Sequence, residues 1–108
     1  MTDSIKHYEQ VWNEAEEIAS KKFSSETTEY IVNTIKAELD TILLYDTKTE
    51  LSSDTRRLLK HRSLGAILFL LCAISHRENI NTWAALNEEK SFEETDISEL
   101  KKMLEQQI

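Results

Sequence analysis

The residues of this chain best suited to chemistry are helical carboxylates. Glu14 and Glu17 stand three apart, so on an α-helix they share a face and present two oxygens to one point. A divalent cation such as magnesium needs further carboxylates converging on it. The next pair, Glu38 and Asp40, stands two apart, a spacing that sends the side chains to different sides of a helix. The histidines offer less. His7, His61 and His76 have no second histidine four residues on, and no glutamate three residues before them. The His-x3-His and Glu-x-x-His metal patterns of helical proteins are therefore missing.

The segment Glu14-Ala15-Glu16-Glu17 resembles the Glu-x-x-Glu half of the magnesium-binding pattern of helical nucleotide pyrophosphatases, in which a Glu-x-x-Asp on the next helix completes the metal site. The resemblance implies a metal-dependent nucleotide hydrolase working through Glu14, Glu17, Glu38 and Asp40. It covers one half-motif, and Glu38-Leu39-Asp40 departs from the second half by one residue. Nucleophilic catalysis has less to draw on. Cys72 is the only cysteine and lies between Leu71 and Ala73, with no charged neighbour in sequence to favour its thiolate. There is no G-x-S-x-G elbow. With Gly65 as the only glycine, a glycine-rich phosphate loop is excluded. No cofactor is expected.

Charge gives a stronger signal. The formal net charge is −7, which argues against nucleic acid as the partner, because binding a polyanion needs positive charge to displace its counterions. A helix–turn–helix over His76–Leu104 would also present few basic residues to phosphates. Yet residues 54–77 hold five basic groups and one acid, while the rest of the chain holds eight basic groups and nineteen acids. Arg56, Arg57, Lys60, His61 and Arg62 crowd into two turns. Arg56 and Lys60 share one helical face, as do Arg57 and His61. This cluster either pairs with the acidic faces of the other helices or grips an acidic partner. A second candidate surface is acidic: Glu88, Glu89, Glu93, Glu94 and Asp96, opposed in that stretch by Lys90. It is either a solvated junction or a dock for a basic partner.

The elements that must carry these groups are helices. The chain has no proline and a single glycine, which leaves few residues for the tight turns of a sheet. Ile5, Tyr8, Trp12, Ala15 and Ala19 recur at helical spacing from about Asp3 to Lys22, with Val11, Ile18 and Phe23 beside them. Ile31, Ile35, Leu39 and Ile42 mark a second helix from about Glu26 to Tyr45, with Ser24 or Ser25 as its expected cap. A third begins at Ser52, Ser53 or Asp54 and ends near His76 or Arg77. Its second half, Leu64–Ile74, is apolar on every side, as in a helix central to its domain or covered by another chain. Gly65 costs about 1 kcal/mol there relative to alanine, which the close approach of a neighbouring helix would justify. Asn81 can cap a short helix, Thr82–Glu89, and Asp96 with Glu99 makes a capping box for a last one.

These readings converge on one all-α domain over residues 1–108, a bundle of four main helices and one short one around Leu64–Ile74. The longest apolar run has 11 residues, roughly half a membrane span, and the first ten residues have no signal-like stretch, so a cytoplasmic setting is expected. The expected function is non-enzymatic: a protein-interaction domain such as a small acidic regulator, an inhibitor or an immunity-type protein that neutralises a toxin. The alternative from another class is a structural subunit of a homo-oligomer packed through Leu64–Ile74.

Overall fold

The computed structural model describes residues 2–89 and 94–106 and is all-α. Its helices are α1 (Thr2–Lys22), α2 (Thr28–Thr47), α3 (Ser53–Glu78), α4 (Thr82–Glu88) and α5 (Glu94–Gln106). No strand occurs among the described residues.

Side chains and one left-handed residue take over the work of glycine and proline at the helix ends. Thr27, rather than Ser24 or Ser25, caps α2: its hydroxyl accepts from the Tyr30 N–H at 3.0 Å. The two serines lie in a turn that the Glu26 N–H closes onto the Phe23 carbonyl at 3.0 Å, so the helix begins beyond them. Ser52 caps α3 by accepting from the Thr55 N–H at 3.2 Å, and Asp54 adds negative charge to the first turn. Asn79 ends α3 in the left-handed region (φ 52°), where asparagine is tolerated better than most residues. Its N–H and that of Ile80 donate to carbonyls of the last turn, a closure of the Schellman kind. Asn81 caps α4, accepting from the Ala84 N–H at 3.1 Å. The last expected cap is a correction. α5 already begins at Glu94, so Asp96 stands inside its first turn, where an acid complements the helix dipole but is not the cap.

α3 is the spine. α2 runs antiparallel along it: Lys60 meets Asp46 at one end, and Arg77 meets Thr28 at the other, 3.3 Å apart. α1 packs on α3 as well, and among the described residues only these two helix pairs pack extensively. The core is a cluster of Ala19, Ile31, Leu70, Cys72 and Ala73, walled by Trp12, Phe23, Ile35, Phe69 and Ile74. Phe23 meets Phe69 edge-to-face, with centroids 5.9 Å apart.

The described residues cover α3 on one side only. Ile67 and Leu70 are buried, but Leu64 and Leu68 are 53% and 52% exposed and Leu71 is 37% exposed. α1 and α2 cover one side, and the seven-residue α4 is too short to close the other. The stripes on α1 and α2 are likewise partly open: Tyr8, Val11, Ile18, Leu39 and Leu43 are all exposed. Gly65 is not explained inside the chain either, since a Cβ built there would meet nothing within 4 Å.

Candidate interaction face

The basic stretch occupies the first three turns of α3, and its geometry splits it. Arg56 and Lys60 face α2 and are half-buried. Lys60 is ion-paired with Asp46, and the Arg56 Nε is buried with no acceptor among the described residues. Arg57, His61 and Arg62 are exposed, and none forms an ion pair with the described residues. The internal pairing that an acidic protein could have supplied is thus confined to Lys60.

Arg57 and His61 begin a longer stripe. Residues 57, 61, 64, 68 and 71 alternate steps of four and three, the spacing of a coiled-coil seam, and place Arg57, His61, Leu64, Leu68 and Leu71 along one line of α3. All five are exposed. Leu68 and Leu71 border an apolar groove of about 560 Å³ between α1 and α3. Tyr8, Val11 and Trp12 form its α1 wall; Gly65 and Leu68 lie on its α3 side; Trp83 and Leu86 of α4 close one end. Trp12 and Trp83 meet edge to face, with centroids 6.2 Å apart and ring planes at 67°, and hold α4 against the middle of α1. The α1 and α4 residues of this groove read as core positions from sequence. The four–three spacing on α3 was the signal that a helical partner could lie there.

Behind Trp12 and Trp83 the character changes. A polar cavity of about 610 Å³ is lined by Glu9, Glu16 and Asn13 of α1 and by Ser75, His76 and Asn79 at the end of α3. Ser75 is hydrogen-bonded to Thr82, tying α4 to α3. Exposed Glu78 and Glu88 lie nearby in sequence, and the last turn of α3 also carries His76 and Arg77, so charges of both signs meet at this end.

The other candidate residues do not assemble. Glu14 accepts a hydrogen bond from Gln10 at 3.2 Å, and Glu17 is paired with Lys21 at 3.4 Å. The described residues hold no group of three or more His, Cys, Asp and Glu side chains able to hold a metal ion, so Glu14, Glu17, Glu38 and Asp40 form no magnesium site. Of the acidic stretch, Glu88 and Glu89 are exposed at the end of α4, Glu94 and Asp96 fall in the first turn of α5, and Glu93 lies outside the described residues. Cys72 is buried, and burial, with a smaller contribution from the Glu16 charge, pushes its thiol up to about 11. At neutral pH it is a protonated core group, not a nucleophile.

One residue with a large structural role was not singled out from sequence. Arg77 Nη2 donates to the backbone carbonyls of Phe23 and Glu26, and Nη1 donates to the Thr28 hydroxyl. It thereby fastens the α1–α2 turn to the end of α3. Nothing in the local sequence distinguishes it from any other arginine in a last helical turn.

α3 also passes, by length and composition alone, as a helix able to cross a membrane. Its uninterrupted apolar stretch, Leu64–Ile74, is only about 16 Å long at 1.5 Å per residue, against roughly 30 Å of hydrocarbon. Four basic residues precede that stretch within α3. Comparison with protein-family models, curated proteins and solved structures finds no match.

Proposed function

We propose that this chain is a non-enzymatic protein-interaction domain whose working surface is the open side of α3, with Arg57, His61 and Arg62 at its basic end. The observation that carries the reading is the exposed four–three stripe beside the apolar groove. Exposed leucines scattered singly need no explanation, but aligned leucines bordering a groove with aromatic walls are the pattern that an amphipathic helix recognises. The basic residues at one end add orientation and long-range steering. The proposed setting is cytoplasmic, in keeping with a single buried thiol.

The test is site-specific photo-crosslinking in cells, with a photoreactive amino acid in place of Leu68 on the stripe or Lys36 on the exposed side of α2. The expected result is a discrete protein adduct from position 68 and none from position 36. Absence of an adduct at position 68, or equal labelling from both positions, overturns the reading.

A further inference from the structure

We infer that the polar cavity behind Trp12 and Trp83 is a binding site for an alkylammonium group, carried by a small organic amine or by a lysine side chain. This site is separate from the stripe on α3 and does not depend on the proposed function.

The charge of the cavity comes first. Glu9, Asn13 and Glu16 alternate steps of four and three, so they form one line on α1, and all three line the cavity. Among the described residues, no lysine or arginine lines it. Arg77 is instead held at the α1–α2 turn, where it donates to the carbonyls of Phe23 and Glu26. Neither Glu9 nor Glu16 forms an ion pair with the described residues. Glu16 is half-buried, and its charge is felt at the buried Cys72 thiol. A carboxylate drawn away from water without a counter-charge is costly, and a cation entering beside it offsets part of that cost.

The kind of cation follows from the spacing and the walls. A bare metal ion needs several ligands converging on it at about 2–2.6 Å. Glu9 and Glu16 are two helical turns apart, about 10.5 Å along the axis, and with His76 they form no metal-holding group. The charge must therefore arrive on a larger body. Both indoles line the cavity, and Ile80 and Ala84 extend its apolar wall. An ammonium near an indole is attracted by the ring electrons, and its methylenes pack on apolar surface. The carboxylates and the Asn13 side chain supply acceptors for its N–H donors. The volume, about 610 Å³, is that of a small-molecule site.

The test is a titration with n-butylammonium chloride, read by nitrogen–proton NMR. The chain's two tryptophans both line the cavity, so both indole N–H signals report on it. At ionic strength held constant with sodium chloride, the signals should shift and saturate with a millimolar dissociation constant, as befits one partly screened ion pair. Glu16→Gln should raise that constant roughly fivefold or more, and Glu9→Gln by less, because Glu16 is half-buried and Glu9 exposed. Asp40→Asn removes the same charge from an exposed site on α2 and should leave it unchanged. Circular dichroism should show the helicity of all three variants unchanged. Neutral n-pentanol can also reach the indoles, through the apolar groove, and should lose no affinity in Glu16→Gln. The peptide acetyl-Ala-Lys-Ala-amide separates the two sources. Binding at least as tight as that of butylammonium assigns the site to a lysine of a partner protein; weaker binding assigns it to a free amine. No saturable shift by about 50 mM of either probe overturns the inference. So does a butylammonium affinity indifferent to Glu16→Gln, one that falls equally in Asp40→Asn, or an equal loss for the neutral alcohol.

Discussion

The two sides of α3 are built from the same residue types and meet opposite fates. One carries Ser63, Ile67, Leu70 and Ala73, all buried against α1 and α2; the other carries Leu64, Leu68 and Leu71, all exposed. Mean composition therefore does not decide burial in this helix; the availability of a neighbour does. The sharpest way to break the comparison is to truncate a leucine on each side. Leu70→Ala should lower unfolding free energy by about 2–5 kcal/mol, since it removes apolar contact and leaves a cavity in a packed cluster. Leu68→Ala, measured by urea denaturation at dilutions where the chain is monomeric, should change it by about 0.5 kcal/mol or less. Equal losses at the two positions would show that the open side is in fact packed.

The same contrast holds for the basic residues of α3. Arg77 reaches two backbone carbonyls of the α1–α2 turn, which no water can serve as well once the turn is packed. Arg77→Ala should cost about 1.5–3 kcal/mol, the range for hydrogen bonds from charged donors. Arg77→Lys should recover only part of it, because an ammonium lacks the planar fork that spans several acceptors. Lys60 pairs with Asp46 in a largely solvated setting, so Lys60→Ala should cost no more than about 1 kcal/mol. Arg57→Ala and Arg62→Ala should leave the monomer's stability unchanged. The ranking Arg77, Lys60, Arg57 in denaturation experiments checks the division between basic residues that hold the fold and those that face outward.

The helices were legible because their signals are local. Apolar spacing, the caps at Ser52 and Asn81, and the lack of glycine and proline each act within a few residues. The start of α5 was misplaced because Asp96 and Glu99 satisfy the pattern of a capping box while equally suiting an interior first turn. The open face was not legible. Periodicity marks which residues of α1 and α3 are apolar, but it does not say that Trp12 is half-covered while Val11 beside it stays exposed. That outcome depends on where α4 crosses, and the crossing is set by the contact of Trp12 with Trp83, 71 positions away. Likewise, the basic cluster read as one unit. Only the antiparallel register of α2, which brings Asp46 to Lys60, divides it into a paired half and an exposed half.

Gly65 gives the smallest effect and the most discriminating sign. On an ordinary exposed helical surface, Gly→Ala stabilises by about 0.4–1 kcal/mol, chiefly by restricting the unfolded chain. The φ at Gly65 is not positive and an added Cβ meets nothing within 4 Å, so Gly65→Ala should raise the unfolding free energy of the dilute monomer by that amount. A loss instead would mean that the open side is closed within the single chain. A larger residue separates folding from association. Gly65→Leu should also leave the dilute chain folded, because the space above position 65 is empty there. Where a partner helix crosses at this point, it should hold that helix away from α3 and weaken the association. Stability gained in dilute solution and association lost at high concentration, from one position, is the behaviour expected of a glycine kept for a partner rather than for its own fold.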